Sequence, residues 1–222
     1  MVGAWALHAL SLTLECSASI SDKYARQALS LVASLYHRED SGVGTPFSSE
    51  RPPLMVSLGR VCCSVVSTVG MELVPQGPEI STVHAILSML ESVRGRQESL
   101  MAAMLTQQLI VVAKSPATGL LRSTLQAIQS ESPDVRLMAV KGLRQATLNW
   151  GVASVSRDLL GCERLLLRVI DSDGDAGVVQ EAMGLVLHMA SSCAEGDAVG
   201  WFHLCKEVRG RVRLMGHSAG CC

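Results

Sequence analysis

Val135 and Ala139 recur as Val178 and Ala182, the same residue types at the same four-residue interval, 43 positions further along the chain. No other feature constrains the fold so tightly. In the first stretch, "SPDVRLMAVKGLRQA", Val135, Ala139, Gly142, Leu143 and Ala146 fall at intervals that place them on one face of a helix. The face is mostly small, so a neighbouring helix can pack close. Ser132 stands where a cap belongs, Pro133 suits the first helical position, and Asp134 sets a negative charge at the positive end of the helix dipole. Arg136 and Lys141 fall off the stripe, toward solvent or a neighbouring turn. In the second stretch Val186 continues the series, and each stretch follows an apolar helix, "ATGLLRSTLQAIQS" and "CERLLLRVIDS".

A helix pair of this kind cannot bury its own apolar face, and stacking it on a similar pair does so. The spacing lies within the roughly 40–47 residues of HEAT and armadillo units. The expected fold is therefore all-α, an α-solenoid of stacked helix hairpins forming a HEAT/armadillo-like superhelix. Apolar periodicity and breakers place helices at 4–16, 21–37, 54–72, 80–94, 97–114, 117–130, 133–149, 154–171, 176–193 and 197–210. About five pairs would then span residues 1–210 as one solenoid segment, with 211–222 an unstructured tail. Residues 38–53, "REDSGVGTPFSSERPP", carry the Gly, Ser and Pro content of a mobile surface loop.

Composition agrees with helices packed on helices. Hydrophobic residues make up 48% of the 222 residues but aromatic ones only 3%, so the core is built from Leu, Val, Ala and Met. A formal net charge of −1 gives nucleic acid or an anionic membrane little to attract, and two Tyr with two Phe supply no stacking platform. The eight cysteines include no C-x-x-C pair and no zinc spacing, and most lie on apolar helical faces. They read as thiols of a reduced, intracellular chain.

The first residues, "MVGAWALHALSLTLECSAS", have the apolar run and small residues of a secretory signal, but no basic lead, and His8 and Glu15 interrupt them. A buried helix is the expectation there. Stretch 54–74 is also apolar, yet Arg60 lies inside it and Glu72 near its end, against a membrane span.

Chemistry is hard to find. "DSDGDAGVVQEA" sets Asp171, Asp173 and Asp175 at alternate positions, as in a calcium loop, but Ala176 and Ala182 occupy the places of its glycine and bidentate glutamate. An acidic turn capping the next helix accounts for the same residues. His188 reads as a satisfied core histidine. No nucleophile elbow, P-loop or dinucleotide fingerprint occurs, and Cys221–Cys222 lacks the polybasic run of a prenylated end. The expectation is no catalytic residue, no cofactor and no metal.

The run Pro133-Asp134-Val135-Arg136, then Ala139, then Leu143, resembles the second helix of a HEAT repeat. The HEAT motif carries an aspartate six residues before its arginine, bonding along the stack; here that position is Ser130, which leaves the ladder without its acidic member. Four longer stretches, "WALHALSLTLECS" with "ALSLVASLYH", "LGRVCCSVVSTVGMELVPQGPEISTV", "VRLMAVKGLRQAT" and "SSCAEGDAVGWFHLCKEV", resemble in this order the middle region of the HEAT-repeat-containing protein 5 family. The resemblance covers most of residues 4–208; loop 38–53 and the tail from Arg209 depart from it. It implies a non-enzymatic scaffold of clathrin-adaptor-linked trafficking between trans-Golgi network and endosomes. The implied partners are the clathrin adaptor complex, aftiphilin and γ-synergin. The implied location is cytoplasmic, peripheral to those membranes and clathrin-coated vesicles, without direct insertion. The alternative is a HEAT-type subunit of another assembly, such as a kinase or phosphatase regulatory subunit or a transport receptor.

Overall fold

A computed structural model describes residues 51–69, 78–93, 95–158 and 162–192, with short pieces at 9–10, 24, 27–32 and 34. The described residues are helices and turns, with no strand among them. Eight helices can be given bounds: α1 Arg51–Val69, α2 Pro78–Ser92, α3 Arg96–Val112, α4 Thr118–Ala127, α5 Pro133–Trp150, α6 Val152–Asp158, α7 Cys162–Ser172 and α8 Ala176–Ser192. The chain divides into two compact units, Met1–Ala113 and Lys114–Cys222.

In the first unit α1, α2 and α3 each pack against the other two. Between Met55 and Val66 every residue of α1 is buried except half-buried Ser57 and exposed Arg60. A helix apolar around most of its circumference needs neighbours on more than one side, and α2 and α3 provide them. Gly59 permits a close approach: a Cβ there would come within 2.6 Å of Met101 Cγ on α3 and 3.0 Å of Leu90 Cδ1 on α2. One turn on, the Cys63 thiol points at the Met101 sulfur, 4.0 Å away. Burial, and then the neighbouring Cys63, push the Cys62 thiol far above its ordinary pKa, so it stays protonated and acts as a small apolar side chain. Cys62, Cys63 and Cys162 are all buried thiols. Earlier in this unit, Ala28, Leu29 and Val32 are helical and buried, while Tyr24 and Leu31 are exposed.

In the second unit α4 packs on α5, α7 on α8, α6 on α5, and α5 on α8. Pro133 opens α5 as the sequence indicates. Gly151 ends it with φ 79°, a value that L side chains rarely adopt, and α6 starts at the next residue. Val135, Ala139, Val140, Leu143 and Ala146 are buried along α5, as are Val178, Ala182, Leu185, Val186 and Met189 along α8. The two helices begin 43 residues apart, at Pro133 and Ala176.

Expectations about three of the helix spans need correction. Arg51, Pro52 and Pro53, assigned to the loop, form the first turn of α1; prolines there leave no hydrogen bond unmade, because the first amides of a helix have no helical acceptor. The single helix expected over 154–171 is two, α6 and α7, and Gly161 falls between them in the sequence. Helix α4 stops at Ala127, not 130, because the chain tightens: the Gln129 and Ser130 amides donate to the Gln126 and Ala127 carbonyls, three residues back. Loop residues 38–50, helix 197–210 and tail 211–222 lie outside the described residues. No described helix is long and apolar enough to cross a membrane.

Candidate functional site

The tightened end of α4 turns the Ser130 and Glu131 carbonyls toward the first turn of α5, where Arg136 stands. Its Nη1 donates to both, at 2.9 Å and 2.8 Å. Its Nε and Nη2 donate to the two carboxylate oxygens of Asp173, at 2.6 Å and 2.7 Å. Asp173 lies in the turn between α7 and α8, so one planar guanidinium joins the corner of one helix pair to the corner of the next. The fork geometry suits arginine alone, since lysine has no second coplanar donor.

The acidic turn continues the network. The Asp175 amide donates to Asp173 Oδ1 at 3.0 Å, and Asp175 Oδ1 accepts from the Val178 amide at 3.0 Å, capping α8. The side chain of Asp173 is 3% exposed and that of Arg136 17%, so neither charge could be left alone cheaply. Hydrogen bonding from Arg136, outweighing burial, holds the Asp173 carboxyl below its ordinary pKa; the same bond raises that of Arg136. Two of the three alternate carboxylates are thus committed to a guanidinium and a helix amide. No group of His, Cys, Asp and Glu suited to a metal occurs among the described residues.

A second pair, Arg144 Nη1 to Glu181 Oε1 at 3.0 Å, joins α5 to α8 nearer solvent, with side chains 47% and 20% exposed. Both pairs span 37 residues, and from the first to the second each chain advances by eight. Antiparallel partners would have changed that separation. Helices α5 and α8 therefore run parallel.

The residues singled out in the sequence fall as follows. Pro133 is the first residue of α5 and Asp134 lies in its first turn; Val135, Ala139 and Leu143 are buried on its inner face. Arg136 turns to the neighbouring corner. Ser132 stands at the cap position but makes no side-chain cap bond, and its buried hydroxyl has no hydrogen-bond partner. The expectation of a capping serine fails there; the Ser132 amide instead donates to Ser130 Oγ at 3.3 Å. His188 is half-buried and its Nε2 has no partner among the described residues, so it is not the satisfied histidine expected. Sequence reasoning also missed Asp173 as the acidic partner of Arg136. The signal was present: Asp173 lies six residues before Val179, which itself stands 43 after Arg136. The aspartate belongs to the following helix pair, not the same one.

No family model matches the chain. It is similar to Protein SWEETIE of Arabidopsis thaliana, 22% identical over 206 residues, which is 92% of this chain and 9% of that relative's length. No solved structure matches.

Proposed function

We propose that this chain is a segment of a HEAT-type solenoid whose work is to hold other proteins. The observation that supports it most is the parallel packing of α5 and α8, with Arg136 clipped to Asp173 of the next turn. Successive hairpins set in the same orientation and tied corner to corner are the arrangement from which a superhelix is extended. The turn holds its charged groups in mutual hydrogen bonds, which suits stiffening and not proton transfer or nucleophilic attack.

The biological setting we propose is clathrin-adaptor-linked transport between the trans-Golgi network and endosomes, in company with aftiphilin and γ-synergin. This part rests on the four sequence stretches that resemble the HEAT-repeat-containing protein 5 family. Recruitment to the membrane is through protein partners, since a net charge of −1 gains little from anionic lipid. The test is affinity purification of the full-length protein from cells. Recovery of trans-Golgi clathrin adaptor subunits and aftiphilin supports the reading. Recovery of a phosphatase or kinase core without adaptor subunits overturns it in favour of the alternative assembly. Persistent liposome binding by the purified protein alone would defeat indirect recruitment.

A further inference from the structure

Three Ser/Thr-Pro dipeptides occur in the chain: Thr45–Pro46, Ser115–Pro116 and Ser132–Pro133. Thr45 lies outside the described residues, and the other two have opposite surroundings. The Ser132 hydroxyl is buried and Pro133 is already helical. Lys114, Ser115 and Pro116 are all exposed, in the irregular segment between α3 and α4. The residue before a proline is driven toward extended backbone, the form in which a kinase cleft takes a substrate strand. We propose that Ser115 is a modification site, phosphorylated by a proline-directed protein kinase.

The reaction is an ordinary phosphoryl transfer. The Ser115 Oγ attacks the γ-phosphorus of ATP, a P–O bond forms as the bond to the β-bridging oxygen breaks, ADP leaves, and the hydroxyl proton passes to the kinase's base. What the phosphate meets afterwards follows from the local structure. Ala117 is the cap residue of α4 and makes no side-chain cap bond, having no acceptor to offer. Two residues upstream, phosphoserine brings three acceptor oxygens and a charge near −2 within reach of the first-turn amides and the positive end of the helix dipole. Modification therefore supplies the cap that the sequence omits. This inference is independent of the scaffold reading.

The test uses the full chain, a purified proline-directed kinase and magnesium ATP, with phosphate located by peptide mass spectrometry. Modification of Ser115, with Ser132 untouched, is expected. Ser115→Ala should abolish that label, and Pro116→Ala should abolish it while leaving the helical spectrum and melting temperature unchanged. The phosphorylated chain should exchange the first-turn amides of α4 roughly two- to five-fold more slowly, the size of a charge acting on a helix end. A chain whose Ser115 stays unmodified, or whose phosphate goes to Ser132 or Thr45 instead, overturns the site. Unchanged exchange in α4 on a chain phosphorylated at Ser115 overturns the capping role.

Discussion

Helices α1 and α5 are nearly the same length, 19 and 18 residues, yet they are held in different ways. Helix α1 buries almost its whole middle against two partners, and a close contact with both depends on Gly59 having no side chain. Helix α5 buries one stripe and leaves Lys141 and Arg144 toward water, with its first turn tied by Arg136 to a neighbouring corner. The first arrangement is specified by shape and the second by shape plus a directional polar clip. Fit tolerates small errors in rotation of a helix. A forked ion pair does not, so it fixes register as well as proximity.

The largest test of this contrast is Arg136→Ala. It leaves the Asp173 carboxylate buried and unpaired and frees two carbonyls, and should cost about 3–5 kcal/mol in a denaturant titration. Replacing the pair together, Arg136→Met with Asp173→Leu, should recover much of that loss. A single variant as stable as the parent would remove the clip from the account. The same bond predicts a pH response. Asp173 titrates lower in the folded chain than in the unfolded one. Its contribution is thus full above the ordinary carboxylate range and is lost as pH falls through the lowered folded value. Asp173→Asn should flatten the acid limb of a melting curve followed against pH; an unaltered slope would mean other carboxylates govern it.

Shape is tested in the first unit by Gly59→Val, which drives methyl groups into Met101 and Leu90. The expected loss is about 1–3 kcal/mol by thermal melting, and a neutral result would show that Met101 yields freely. Asp175→Ala removes the cap of α8 and should cost about 1 kcal/mol. Smallest of all, Arg144→Ala should change stability by less than about 1 kcal/mol, because that pair is largely hydrated. If it matched Arg136→Ala, exposure would not be what separates the two pairs.

The same contrast governs how much could be read from sequence. Helix α5 advertises itself: proline at its start, a clean apolar stripe, a glycine stop, and its first residue read correctly. In α1 the apolar residues have no polar face to give them phase, and its start was misplaced by three residues because its prolines look like loop. The α6–α7 break was missed because the apolar pattern runs through it with only Gly161 as a signal. At the candidate site Pro133, Val135, Arg136, Ala139 and Leu143 were legible from local spacing. Asp173 was not, since a partner 37 residues away becomes visible only when the repeat is laid over itself. The idle Ser132 hydroxyl was also illegible: composition marks a cap position, but side-chain rotation decides whether the cap is used.

That 37-residue separation has a consequence in time. A ribosome adding roughly 5–20 residues per second exposes Arg136 some two to seven seconds before Asp173. In that interval the guanidinium has the Ser130 and Glu131 carbonyls within five or six residues, so the α4–α5 corner can form from local chain alone. The emerging carboxylate then meets a donor already aimed. On that order of emergence, the α7–α8 hairpin would dock on an α4–α5 corner whose donor is already placed.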